Sequence, residues 1–122
     1  MKKLIILPIV FMLLFAFCQS EDEKKLNTMA DMKTIGGAIE SYLTDEYKAP
    51  EAASMEDLKK LVIPFYIKEL PTTDHWGNAY HYKHGTGEGQ EDYWVASAGA
   101  DGTFEDFQKT GDDIVFHNGQ FL

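Results

Sequence analysis

The chain has 122 residues, 44% of them hydrophobic, which is enough for one small domain with one modest core and too little for two. Twenty acidic residues stand against eleven lysines, with no arginine, for a net charge of −9. That balance excludes the cationic surface a phosphate backbone requires and leaves divalent cations or plain solubility as uses for the acids.

Met1-Lys2-Lys3 is followed by an apolar run from Leu4 to Cys18, broken only by Pro8, and then by the polar switch Gln19-Ser20-Glu21-Asp22-Glu23. A basic start and an apolar stretch shorter than a spanning helix predict a signal peptide over residues 1–18, with a short uncleaved anchor as the competing reading. Cys18 is the single cysteine, so it makes no internal disulfide. Its place at the end of the apolar run predicts a lipoprotein, cut before Cys18 and carrying a lipid on that sulfur. Phe17 is large where such processing prefers a small residue, so cleavage after Ser20 and release of the protein stays open. Either route exports the domain to the periplasm or cell surface. Loss of residues 1–18 leaves nine lysines against twenty acids, a net charge of −11.

Residues 19–27 are charged and lack apolar periodicity, which predicts a solvated acidic tether. Met29, Met32, Ile35, Ile39, Tyr42 and Leu43 then recur at spacings of three and four, predicting a helix over about 28–46 with Thr28 or Asn27 as its cap. Gly36-Gly37 inside that helix cost about 1 kcal/mol each against alanine. They predict a close approach to that face, most simply by the domain's own sheet. Pro50 closes the region. Ser54 with Asp57 is a capping box, and Met55, Leu58, Leu61 and Val62 predict a short helix over 55–63.

The period then changes to two. Residues 79–84 and 92–97 alternate on either side of the turn-rich Gly85–Gly89, predicting an antiparallel hairpin, and 113–117 with Asn118-Gly119 predicts a third strand and a return. Helices followed by strands predict an α+β domain over 28–122, with a long helix and a short second helix packed on a small antiparallel sheet.

Four stretches in this order, "DMKTIGGAIESY" from Asp31, "ELPTTDHWGNAYHY" from Glu69, "YWVASAGADG" from Tyr93 and "GDDI" from Gly111, resemble the major pseudopilin of the type II secretion system, its G-type subunit. The resemblance spans about residues 28–116. It implies a long helix laid on a small antiparallel sheet, a non-enzymatic role in protein secretion among other pseudopilins, and a calcium ion in the C-terminal loop. Residue by residue, it implies Asp101, Asp112 and Asp113 as side-chain ligands and the Ala98 carbonyl as a main-chain ligand. Such oxygens suit a hard cation that takes six to eight of them. The residues alone also allow an Asp101-Gly102 turn and a solvated acidic end. Ten residues separate Asp101 from Asp112, and the extra run "TFEDFQK" either lengthens the loop or adds Glu105 or Asp106 to the ligands. The glycine-led prepilin motif of the family is not in the sequence, so the resemblance implies the fold more directly than the assembly.

Other constellations carry less. His81 and His84 lie three apart on a predicted strand and face opposite ways, which reads as exposed strand residues rather than a metal pair. Asp74-His75 lacks a nucleophile, and no phosphate loop or zinc spacing occurs, so no enzyme is expected. Trp76, Tyr80, Tyr82, Tyr93 and Trp94 read first as sheet core. The alternative is a stand-alone lipoprotein that binds a ligand or envelope component through the aromatic hairpin.

Overall fold

A helix begins immediately after Ser20, whose hydroxyl accepts the Glu23 N–H at 3.1 Å. In the computed structural model, which describes residues 19–122, this helix α1 spans Glu21–Glu46, 26 residues and about 39 Å. The signal-peptide and Cys18 readings lie outside the described residues. The tether expected over 19–27 is instead the cap and first two turns of α1. Ser20 and Glu23 have capping-box spacing, and Glu21, Asp22 and Glu23 complement the positive end of the helix dipole. Thr28 is no cap. It is fully buried mid-helix, and its hydroxyl accepts the His75 N–H at 3.1 Å.

Tyr47 ends α1 in the left-handed conformation, and its N–H donates to the Leu43 carbonyl at 2.8 Å. The second helix, α2, spans Met55–Val62, with the Ser54 hydroxyl accepting the Asp57 N–H at 3.2 Å as the capping box predicted. Four strands follow: β1 (His81–His84), β2 (Tyr93–Ser97), β3 (Ile114–His117) and β4 (Gln120–Phe121). They pair in sequence order as an antiparallel meander, with Tyr82 opposite Val95 and Val95 opposite Phe116. Asn118 and Gly119, both at positive φ, turn β3 into β4.

Tyr82, Val95 and Phe116 share the sheet face toward the helices and join Met32, Ile35, Ile39, Leu58 and Val62 in the core. Each large apolar side chain buried there contributes about 1.5–3 kcal/mol. A Cβ on Gly36 would overlap the Phe116 ring, so this glycine is the close approach to the sheet that the sequence predicted. Gly37 has nothing within 4 Å of such an atom. Three tyrosines cross from sheet to helical layer with their hydroxyls paired. Tyr82 donates to the Pro50 carbonyl at 2.8 Å, Tyr93 to Glu40 Oε1 at 2.6 Å, and Tyr80 to the Thr28 carbonyl at 3.4 Å. Burial, first of all, holds these phenols above their usual pKa range.

The opposite sheet face carries His81, Lys83, Trp94, Ala96, Val115 and His117. Ala96 and Val115 are nevertheless fully buried there. On that face the segment after Asp101 packs back beside them: Phe104 stacks on His81, the register partner of Ala96, with centroids 4.0 Å apart, and Phe107 meets Phe104 edge-on at 5.0 Å. His81 is thus a half-covered stacking partner rather than a plainly exposed strand residue. Among the described residues, no helix is long and apolar enough to cross a membrane.

Candidate functional site

Sheet register builds the acidic loop. Ser97 at the end of β2 pairs with Ile114 at the start of β3, so the chain leaves and re-enters the sheet at adjacent points. Ala98 and Asp113 are therefore neighbours despite the long excursion between them. Gly99 has φ of +73°, and a Cβ there would collide with the Asp112 carbonyl, so only glycine lets the two backbones touch. Beyond it, the turn Gly99–Asp101 places Asp101 Oδ2 3.8 Å from where a Gly111 side chain would start. The four residues expected at the site, Ala98, Asp101, Asp112 and Asp113, thus come together on two touching loop segments.

Their side chains are differently placed. Asp101 and Asp112 are exposed, and Asp101 Oδ1 accepts the Thr103 N–H at 3.0 Å. Asp113 is only 3% exposed. Its Oδ2 accepts from the Thr110 hydroxyl at 3.3 Å, while its Oδ1 is buried without a hydrogen-bond partner. Burial pushes the Asp113 carboxyl above its usual range, the Thr110 bond opposes this, and the charges of Asp101 and Glu105 add to the rise. Among the described residues, no three His, Cys, Asp or Glu side chains stand close enough to form a ready-made metal centre. The convergence is of backbone, and the next residue, Asp113, keeps one buried carboxylate oxygen unpartnered.

Asp74, which the sequence offers only as half of an Asp74-His75 pair without a nucleophile, proves central. Asp74 is buried, and its Oδ1 accepts the N–H groups of Trp76 and Asn78 at 3.0 and 2.9 Å. Its Oδ2 accepts the Ser97 hydroxyl at 2.6 Å, and Ser97 Oγ accepts the Gly99 N–H at 3.1 Å. One carboxylate therefore shapes the 74–78 turn and fixes the mouth of the acidic loop. The only sequence signal was Asp74 before Trp76-Gly77-Asn78; the partner at Ser97 is long-range. Neighbouring His75 pairs with Asp31 at 2.9 Å, tying the same turn to α1.

A cleft of about 340 Å³ lies between the first turns of α1 and this loop, with Glu21, Asp22 and Lys25 on one side and Lys109, Asp112 and Asp113 on the other. Trp76 also lines it and donates its indole N–H to Glu21 Oε2 at 2.8 Å. The aromatic hairpin, by contrast, presents little open ring surface. Tyr80, Tyr82 and Tyr93 are buried, and Trp94 lies between its register partners, stacked on His117 at 4.5 Å with Lys83 Nζ 4.7 Å from its centroid.

Residues 16–115 match the family described as type II secretion system (T2SS), protein G. The chain belongs to that family. Within the described residues the match takes in both helices, β1, β2 and the acidic loop, and it stops inside β3. No curated protein and no solved structure matches the chain. The long helix, short helix and four-stranded antiparallel sheet give this protein G family member the α+β fold expected of a pseudopilin-like, secretion-related domain.

Proposed function

We propose that this protein is a non-enzymatic, calcium-stabilised component or accessory of protein secretion, working outside the cytoplasm beside other secretion-system pseudopilins. Cys18, once lipidated, tethers it to a membrane. The observation that carries the calcium reading is the buried, orphaned Oδ1 of Asp113, the residue next to the Asp112 backbone that Gly99 touches. An unpaired buried carboxylate oxygen is costly. A hard dication beside it supplies the missing partner, with Asp101, Asp112 and the Ala98 carbonyl as further oxygens. Family membership supports the secretion role, and the acidic, arginine-free surface suits a cation better than an anionic partner.

The test is the melting temperature of the purified protein in EGTA, calcium and magnesium. Calcium raises it specifically, and the rise disappears in Asp101→Ala and Asp112→Ala, whose exposed side chains leave the calcium-free protein little changed. An equal Tm in EGTA and calcium refutes the metal reading. For the partners, secretion-system pseudopilins co-purify with a tagged copy; for the anchor, radiolabelled palmitate enters the wild type and not Cys18→Ala.

A further inference from the structure

Phe65 is the most exposed large hydrophobic side chain among the described residues, at 89%. Its neighbour is firmly held. The Tyr66 hydroxyl donates to Asp45 Oδ2 at 2.9 Å, its ring meets Tyr42 edge-on at 5.5 Å, and its N–H donates to the Val62 carbonyl at 2.9 Å. The turn after α2 is thus fastened to the last turns of α1, and Phe65 stands out from it in water. A lone exposed aromatic is ordinary. This one lies in the run Lys59–Lys68, which carries three exposed lysines, Lys59, Lys60 and Lys68, and no acid.

The other end of α1 has the complementary shape and charge. The cleft beside its first turns holds about 340 Å³, and a cavity of about 150 Å³ is enough for a benzene ring. Met29, Trp76, Ile114 and Phe121 give it apolar lining, while its four acids outnumber its two lysines. Asp22 at the cleft and Asp45 at the fastened turn stand about 35 Å apart along the axis of α1, so Phe65 does not reach the cleft of its own chain.

We propose that Phe65 of one copy enters the cleft of a second copy, with the Lys59–Lys68 run against the acids of its rim. The occupant is a second copy because this chain itself displays the aromatic, cationic projection that an apolar, acidic cleft selects. An aromatic anchor seated in a pocket supplies most of the energy of such a contact, and opposite charges orient it. Projection and cleft are different surfaces, so the contact is heterologous, and each pair keeps one free projection and one free cleft. It does not rest on the calcium reading.

Sedimentation velocity on the purified protein in EGTA, over a concentration series, tests this with Phe65→Ser and Ala100→Arg. Both positions are exposed, so circular dichroism of the variants is expected to match the wild type. Ala100 lines the cleft, and arginine there fills it and repels the lysine run. Wild type gains mass reversibly with concentration and loses it in potassium chloride. Each variant alone associates about ten-fold more weakly or worse. Mixed, the two form a one-to-one dimer and stop there, because one supplies the cleft and the other the projection. Variants that stay monomeric on mixing overturn the pairing. Association lost in Phe65→Ser but kept in Ala100→Arg overturns the cleft as the seat of Phe65 and points to packing of Phe65 on its counterpart. Wild type that is monomeric at every concentration overturns self-association; phosphatidylglycerol vesicles that then bind it, and not Phe65→Ser, identify an anionic membrane as the occupant instead.

Discussion

Gly36 and Gly37 are neighbours in α1 with opposite constraints. Alanine at Gly36 drives a methyl group into the Phe116 ring, and overpacking of this kind costs about 1–3 kcal/mol. Alanine at Gly37 meets nothing and removes backbone freedom from the unfolded chain, a gain of about 0.5–1 kcal/mol. Chemical denaturation therefore moves the two variants in opposite directions, and a loss of stability in Gly37→Ala contradicts the packing described. Asp113 poses an electrostatic version of the same local question. Its folded carboxyl holds a proton more tightly than the unfolded one, so the ion-free protein gains stability as pH falls through the raised pKa toward the ordinary aspartate value near 3.8. At neutral pH this is a cost. Asp113→Asn in EGTA at pH 7 is therefore expected to be about 1 kcal/mol more stable than wild type while losing the calcium response. Thermal melts across pH check both the sign and the window.

Among the elements, α1 shows how much a terminus depends on one hydroxyl. Ser20→Ala removes the acceptor for the Glu23 N–H and costs about 1 kcal/mol, read as faster hydrogen exchange at Glu23 and Lys24. Asp74→Ala is harsher, because it strips partners from Trp76, Asn78 and Ser97 together; a loss of about 2–4 kcal/mol is expected in urea, with Asp74→Asn retaining part of it. These elements also mark what the sequence makes legible. Residues 55–62, the hairpin and the buried face of α1 were readable because caps and periodicity are local signals. The start of α1 was missed because Ser20 and Glu23 precede any apolar repeat. Phe104 and Phe107 follow neither a helical nor a strand period, and nothing near them in the chain names His81 as their support. The loop aspartates were visible as a cluster, but the long-range Asp74–Ser97 bond that sets their mouth was not.

For the whole molecule, charge is the dominant variable. Twenty acidic residues on a small domain repel one another, and the acidic loop and acidic helix start face the same cleft. On the calcium reading proposed above, the ion at about 100 times its dissociation constant is expected to add about 2.7 kcal/mol to the folded state, a shift of several degrees in Tm. Potassium chloride is expected to raise the Tm in EGTA and to shrink the calcium increment, since screening relieves the same repulsion less specifically. Salt-independent melting in EGTA contradicts that account.

The helix cap at Ser20 has a geometric consequence for an anchored protein. Only Gln19 and Ser20 separate Cys18 from the first turn of α1, a leash of about 7 Å at full stretch. Were Cys18 lipidated as proposed, that turn and the cleft it shares with the acidic loop would ride just above the headgroups. In the proposed lipid-anchored form the loop would sit in the cation layer that an anionic bilayer gathers, and the membrane surface, rather than the bulk medium, would set the occupancy of the proposed calcium site.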